Sequence, residues 1–320
     1  MRLGSSLSRG GQPRGPAVMA AALGLVLAAV AGCATSPTSV PTGSAELGNK
    51  IVAVAAENFW GSIASQLGGS RVAETAIITN PDTDPHSYEP TAADARTIAA
   101  AQFVIVNGIG YDPWAPKLLT ANPVLGRRTL TVGDLLGLKA GDNPHRWYSP
   151  QDVHAVIEKV TSGYALVDPA GAAYFEAQKK AFETTALAKY NQLIFAIKAK
   201  YAGTPVGASE SIVSPLAAAL GLKMLTPYSF LKAISEGTEP SAADKVTVDR
   251  QIKTRQIKIY VYNSQNATPD VAAQVKEAKA AGIPVTTVTE TLTPASATFQ
   301  AWQVRELQGI AAALAKATGA

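Results

Sequence analysis

Short continuous apolar runs recur along this chain, separated by stretches whose apolar positions return every three or four residues. The first run is Ile51-Val52-Ala53-Val54-Ala55, and Phe103-Val104-Ile105-Val106 repeats the pattern, with residues 72–78 as a further strand between them. Residues 59–67 and 91–101 carry helical spacing, the first closed by Gly68-Gly69 and the second with Asp94 in its opening turn. Strands that are apolar throughout and alternate with helices predict a parallel sheet covered on both faces. The alternation returns further on. Strands are expected at 205–208, 257–262 and 283–288, and helices at 213–220, 241–256, 268–281 and 298–317, with Gly221 and Gly282 as stops.

Between the two alternating regions the pattern changes. Asp168-Pro169 supplies a favoured N-cap and a favoured first helical residue. Residues 170–201 then contain no proline and one glycine, Gly171. A helix of this length runs roughly 45 Å at ~1.5 Å per residue, more than one lobe needs. Its apolar stripe is read as Tyr174, Gln178, Ala181, Phe182, Thr185, Ala188, Leu193 and Ile197. The predicted fold class is therefore α/β: two lobes with mainly parallel sheets, residues 50–167 and 203–320, joined by one long rigid helix over 168–202, with a cleft between the lobes.

The first 49 residues fit neither lobe. Arg2, Arg9 and Arg14 precede an apolar run over 17–31, and no acidic residue occurs before Cys33. A basic segment followed by a short apolar one is an export signal, too short for a spanning helix. It ends Val30-Ala31-Gly32-Cys33, which resembles a bacterial lipobox, so residues 1–32 are expected to be cleaved and Cys33 to receive lipid. Residues 33–49 are rich in Ser, Thr, Pro and Gly and read as a flexible tether. The formal net charge of +4 changes meaning once the signal is set aside, because losing its three arginines leaves 25 basic against 24 acidic residues. That balance gives no footing for nucleic acid. Cys33 is the only cysteine, so an internal disulfide is excluded and the core must hold the fold.

Candidate chemistry is concentrated in two of the three histidines. Asp84-Pro85-His86-Ser87-Tyr88-Glu89-Pro90 and Asn143-Pro144-His145-Arg146-Trp147-Tyr148-Ser149-Pro150 each place a histidine after a proline and before an aromatic residue. Proline fixes its own φ and restricts the residue before it, so both imidazoles sit in stiff, non-helical loops. An isolated Pro-His is ordinarily an exposed turn. Two matching frames in a histidine-poor chain point instead to a preorganised pair of transition-metal ligands. His154 lies in a helical pattern after Pro150 and is read as a surface or capping residue, while Trp60, Trp114 and Trp302 are read as core.

The two histidine frames, the lipobox, the long central helix, Gly237-x-Glu239-Pro240-Ser241 and Thr289-Glu290-Thr291-Leu292 resemble the solute-binding lipoproteins of zinc/manganese ABC importers. The resemblance runs from about residue 50 to the C-terminus. It implies one metal ion held between the lobes by two ligands from each. His86 and His145 match the first-lobe pair, and Glu210, in Ala208-Ser209-Glu210-Ser211, falls on a second-lobe ligand position. The fourth family ligand is an aspartate after the last strand; here Glu290 stands there, one methylene longer, or an amide of Asn263 or Gln265 takes its place. Trp147 and Tyr148 are expected to wall the site, with Asn263 and Gln265 supporting it.

Two imidazoles and two carboxylates, with no thiolate, suit zinc or manganese and disfavour Cu(I) and iron–sulfur chemistry. The resemblance implies a non-enzymatic receptor, a monomer lipid-anchored outside the cytoplasm, that passes its ion to an ABC permease. A metal-dependent hydrolase would use a similar donor set with an open position, but the chain has no His-Glu-x-x-His element. A surface adhesion lipoprotein with a structural metal is the third reading.

Overall fold

The computed structural model describes residues 50–266 and 268–319; the expected signal, Cys33 and the tether over 33–49 lie outside the described residues. The first apolar run becomes β1 (Ile51–Glu57), followed by α1 (Asn58–Gly68), β2 (Val72–Ile78), α2 (Ala92–Ala100) and β3 (Phe103–Val106). The lobe continues with α3 (Trp114–Ala121), β4 (Arg128–Thr131), α4 (Val132–Leu136) and α5 (Pro150–Val167). The sheet order is β2-β1-β3-β4, all parallel, with Ala53 paired to both Glu74 and Phe103. Strand β4 reads Arg-Thr-Leu-Thr with its first two residues exposed. An edge strand needs no continuous apolar run, which is why the hydrophobic pattern did not reveal it.

The second lobe holds β5 (Pro205–Ala208), α8 (Ser214–Ala219), β6 (Lys223–Met224), α9 (Tyr228–Ser235), α10 (Ala242–Lys253), β7 (Ile259–Asn263), α11 (Pro269–Ala280), β8 (Val285–Val288) and α12 (Phe299–Thr318). Its order, β6-β5-β7-β8, is again all parallel, so the two lobes share one topology although their sequences show no repeat. In open parallel sheets ligands bind beyond the carboxyl ends of the strands. The residues found there are Glu57 and Asn107 in the first lobe, and Glu210, Asn263 and Glu290 in the second.

The connecting segment is helical but not uniform. A 3-10 turn (Pro169–Gly171) leads into α6 (Ala172–Ala181), a π turn (Phe182–Ala186) and α7 (Ala188–Tyr201). At the π turn the Leu187 N–H donates to the Phe182 carbonyl at 2.8 Å, a five-residue span. The wider turn lets Phe182 and Leu187 both enter the core. The buried stripe is consequently Phe175, Phe182, Leu187, Tyr190, Ile197 and Tyr201, and the regular 3.6-residue stripe read from the sequence drifts off it. Asp168 caps the 3-10 turn and also accepts from Arg71 Nε at 2.8 Å, fixing the segment to the first lobe.

One apolar core runs through all three parts. It joins Phe59 and Trp60 of α1, Tyr190 of α7, and Phe299 and Trp302 of α12, each essentially inaccessible to water. Burying a side chain of this size contributes roughly 1.5–3 kcal/mol, so separating the lobes at this seam is costly. The Ser62 hydroxyl accepts from the Phe299 N–H at 2.9 Å, and Asn58 Oδ1 accepts from the Leu292 N–H at 3.2 Å, adding polar ties along the same seam. Among the described residues no helix is long and apolar enough to cross a membrane.

Candidate metal centre

His86 sits in a 3-10 turn (Pro85–Ser87) opened by Pro85 and capped by Asp84. Asp84 Oδ1 accepts from the His86 backbone N–H at 2.9 Å, and its Oδ2 accepts from the Ser87 hydroxyl at 2.9 Å. The loop is thus set by residues within three positions of His86. The ring packs edge-on against Tyr111, centroids 4.7 Å apart, and its Nε2 is buried without a hydrogen-bond partner.

His145 is fully buried. Asn143 Oδ1 takes both the His145 backbone N–H, at 3.0 Å, and the ring Nδ1, at 2.8 Å. Its other amide atom, Nδ2, donates to the Ser211 carbonyl across the cleft at 2.7 Å, which fixes the amide orientation. Only an N–H can satisfy Oδ1, so Nδ1 carries the proton and Nε2 turns its lone pair inward. Among the described residues that Nε2 also has no hydrogen-bond partner. Trp147 stands edge-on to the ring at 5.2 Å and is itself stacked on Phe59 at 3.9 Å.

From the second lobe, the loop after β8 delivers Glu290. Its Oε2 accepts from the Tyr111 hydroxyl at 3.1 Å, and its Oε1 lies 3.5 Å from His145 Nε2. Two donors on a metal with ~2.1 Å bonds at tetrahedral angles are about 3.4 Å apart. The His145–Glu290 separation is therefore the edge such an ion would span. His86, His145 and Glu290 each offer one ligand atom, all within 4.8 Å of one another.

Glu210, the residue after Ser209 at the end of β5, is fully buried and lies outside that group of three. Among the described residues its Oε2 receives a long contact from Asn263 Nδ2, at 3.4 Å, and its Oε1 has no hydrogen-bond partner. Burial, and then the negative charge of Glu290, push its carboxyl well above the usual range. Burial pushes the His145 ring below its usual range, against the pull of Glu290. Burial also opposes charge on Glu290, but the closeness of the His145 and His86 rings and the Tyr111 hydroxyl outweigh it and lower its pKa. Two buried carboxylates facing two lone pairs need a cation between them, or one must hold a proton.

The two amides singled out in the sequence have committed contacts. Gln265 Oε1 accepts from the backbone N–H of Glu290 at 2.6 Å and of Thr291 at 3.1 Å, and its Nε2 donates across the cleft to the Pro81 carbonyl at 2.7 Å. Asn263 Oδ1 accepts from the Gln265 N–H at 2.9 Å. Tyr148 reaches past the site to the Thr289 carbonyl, at 2.7 Å. His154 lies elsewhere, half-exposed on α5 with Nδ1 3.3 Å from Glu183.

Tyr111, Asn143 and Asp84 were given no role by sequence reasoning. A signal for Tyr111 was present in Gly108-Ile109-Gly110-Tyr111-Asp112, directly after a buried strand. Gly108 and Gly110 have φ of 70° and 85°, and Ile109 between them has φ 61°, which β-branched residues rarely adopt. Asp112 holds this turn by accepting from the N–H groups of Asn107 and Gly108, both at 2.7 Å. A cavity of about 210 Å³, lined by Pro81, Asp84, His86, Glu236, Asn263 and Glu290 among others, opens beside the ligand group.

Known proteins match the chain at both levels. It is 28% identical over 163 residues to the manganese-binding lipoprotein MntA of Halalkalibacterium halodurans, covering 49% of this chain and 52% of that protein. It is 25% identical over 224 residues to the zinc-binding lipoprotein AdcA of Streptococcus pneumoniae, covering 62% and 42%. The chain thus spans about half the length of the curated relatives it matches. Among solved structures, the Mn-bound periplasmic metal binding protein from Candidatus Liberibacter asiaticus superposes with a TM-score of 0.69 at 22% identity, over 83% of this chain and all of that one. The crystal structure of ZnuA does so with a TM-score of 0.64 at 20% identity, over 81% and 98%. The family described as ZnuA, zinc-uptake complex component A, periplasmic, matches residues 53–313, and the chain belongs to that family.

Proposed function

We propose that this chain is an extracytoplasmic solute-binding lipoprotein that captures one divalent transition-metal ion, zinc or manganese, and delivers it to an ABC importer. The observation that carries the reading is the convergence of His86, His145 and Glu290 within 4.8 Å, with both imidazole Nε2 atoms buried and unpartnered. Buried polar atoms are almost always hydrogen-bonded, so orphaned lone pairs facing a carboxylate are a site for a cation. Glu210, with a second orphaned oxygen, is the fourth ligand. Its proton leaves as the ion arrives, since metal binding requires deprotonated ligands.

The proposed cargo follows from the donor set, two nitrogens and two carboxylates, and from relatives named for manganese and for zinc. A receptor is favoured over a hydrolase because both buried carboxylates, Glu290 and Glu210, serve as ligands, which leaves neither to act as a general base. Attachment through lipid on Cys33 keeps the monomeric receptor at the membrane beside the permease. Support for the permease as partner comes from the family's place in an uptake complex.

The test is metal content by mass spectrometry of protein beginning after Cys33, loaded with equal zinc, manganese and iron and then desalted. One equivalent of a single metal is expected, absent in His145→Ala. No metal retained by the wild type would defeat the reading.

A further inference from the structure

Behind the loop that carries Glu290 lies a carboxyl group that metal capture does not use. Glu306, on α12, is 8% exposed. Its Oε2 lies 2.6 Å from the Tyr148 hydroxyl oxygen, and the same hydroxyl lies 2.7 Å from the Thr289 carbonyl oxygen. Its Oε1 faces the Thr289 N–H at 2.9 Å and the Thr289 hydroxyl at 3.0 Å. Trp302 Nε1 donates to that threonine hydroxyl at 2.8 Å. Among the described residues no Lys, Arg or His pairs with Glu306.

Hydrogen counting decides the protonation state. A tyrosine hydroxyl has one hydrogen and can fill one of its two short contacts. With an ionised Glu306, the other contact would be two oxygens at hydrogen-bond distance with no hydrogen between them. A proton on Glu306 Oε2 fills both tyrosine contacts: Glu306 donates to Tyr148, and Tyr148 donates to the Thr289 carbonyl. The Thr289 hydroxyl shares its single hydrogen between Oε1 and the Thr291 carbonyl, each at 3.0 Å, whichever state Glu306 holds. We propose that Glu306 is a neutral-acid clasp between the lobes, a positioning residue that ties Tyr148 of the first lobe to the loop presenting Glu290. Its ionisation loosens that loop.

The environment agrees with the geometry, since burial pushes the Glu306 carboxyl up to about 8. The titratable groups facing it are Tyr148 from the first lobe and, beyond that ring, Glu290, whose negative charge also bears on Tyr148. From α12 itself comes Trp302, which does not titrate. The consequence for metal retention rests on Glu290 being a ligand, whereas the clasp does not.

The experiment compares wild type, Glu306→Gln and Glu306→Ala. Thermal melting of the metal-free proteins at pH 5, 7 and 9 reads the clasp, and zinc and manganese release rates at pH 7 read its coupling to the site. A glutamine amide donates to Tyr148 as the neutral acid does, so Glu306→Gln is expected to melt close to the wild type at pH 5 and Glu306→Ala several degrees lower. A carboxyl raised above its unfolded value stabilises the fold below the unfolded pKa and loses that stability as pH rises through the folded one. The melting difference therefore moves in favour of Glu306→Gln from pH 5 to pH 9. Metal release is expected to quicken roughly tenfold in Glu306→Ala, the lower end for a residue supporting a ligand, and far less in Glu306→Gln.

A Glu306→Gln protein as unstable as Glu306→Ala, or a pH-independent melting difference, would overturn the neutral clasp. Unchanged release from Glu306→Ala would overturn its coupling to Glu290. Should the wild type retain neither metal, the melting curves still judge the clasp, and only the metal reading falls.

Discussion

The two lobes share a topology but hold their halves of the proposed metal centre differently. In the first lobe each histidine is set by its own loop. Asp84 caps the turn of His86, and Asn143 grips both the backbone and the ring of His145, in each case from two positions away. In the second lobe the carboxylates are placed by residues far along the chain. Glu290 depends on Gln265 for its backbone and on Tyr111, 179 positions away, for its carboxylate. Glu210 has, among the described residues, a single long contact of 3.4 Å, from Asn263, 53 positions away. On the proposed reading the first lobe is a preformed two-nitrogen platform, and the second lobe's carboxylate Glu290 leans on a first-lobe hydroxyl, Tyr111.

The largest expected effect falls on that platform. Replacing His145 with alanine removes one of the four proposed ligands, and if ~10–16 kcal/mol of binding is shared among them, each is worth about 3 kcal/mol or a hundredfold and more in affinity. His86→Ala should behave alike, and isothermal titration with zinc and manganese measures both. The fold should survive, because each loop is anchored by neighbouring residues. If either variant binds as tightly as the wild type, the platform is not the metal site.

Next come the carboxylates, where the comparison can fail. Glu290→Ala should cost about a hundredfold by the same arithmetic. Glu210→Ala should cost a similar amount if its orphaned oxygen reaches the ion. It should also relieve the burial of an acid that Glu290 already disfavours, so the metal-free variant is expected to melt above the wild type. Weaker binding with a raised melting temperature identifies a ligand kept at the expense of stability. Unchanged binding with a raised melting temperature would leave a three-ligand protein site.

This asymmetry also explains what could be read from the chain. The histidine frames were legible because proline and a short polar cap act within a few residues. The continuous apolar strands were legible for a similarly local reason, and with them the two parallel sheets. Strand β4 was not, being an edge with exposed Arg128 and Thr129. The π turn at Phe182–Ala186 was missed because its reason is tertiary: Phe182 and Leu187 both have places in a core shared by the lobes. Tyr111, Gln265 and Glu306 act on the site across at least 17 positions, a reach no local pattern encodes.

A smaller effect is expected one step out from the platform. Asn143→Ala leaves His145 in place but frees its ring to turn and to change tautomer, and it cuts the tie to the Ser211 carbonyl. Loss of a residue that orients a ligating histidine typically costs about 10–100-fold in affinity. Asn143→Asp keeps an acceptor for Nδ1 while losing the cross-cleft donor, so the two variants separate ring orientation from lobe closure. If Asn143→Asp recovers the affinity, orientation is the larger part. Equal losses in both would place the weight on the lobe contact and erase the distinction drawn between the halves.

The smallest predicted change tests the second lobe's dependence on the first. Tyr111→Phe removes the hydroxyl on Glu290 Oε2 and keeps the ring that packs edge-on against His86. A hydrogen bond to a charged group is worth about 1.5–3 kcal/mol. The same bond is present before the ion arrives, however, so only the part spent on aiming the carboxylate is lost from binding. An affinity loss of a few-fold is expected, with zinc and manganese affected alike and the metal-free melting temperature little changed. A loss as large as that of Glu290→Ala would mean that Tyr111 does more than aim its neighbour. No loss at all would mean that the second-lobe loop, held by Gln265 and by the clasp at Thr289, already points Glu290 at the ion, making the second half of the site as preformed as the first.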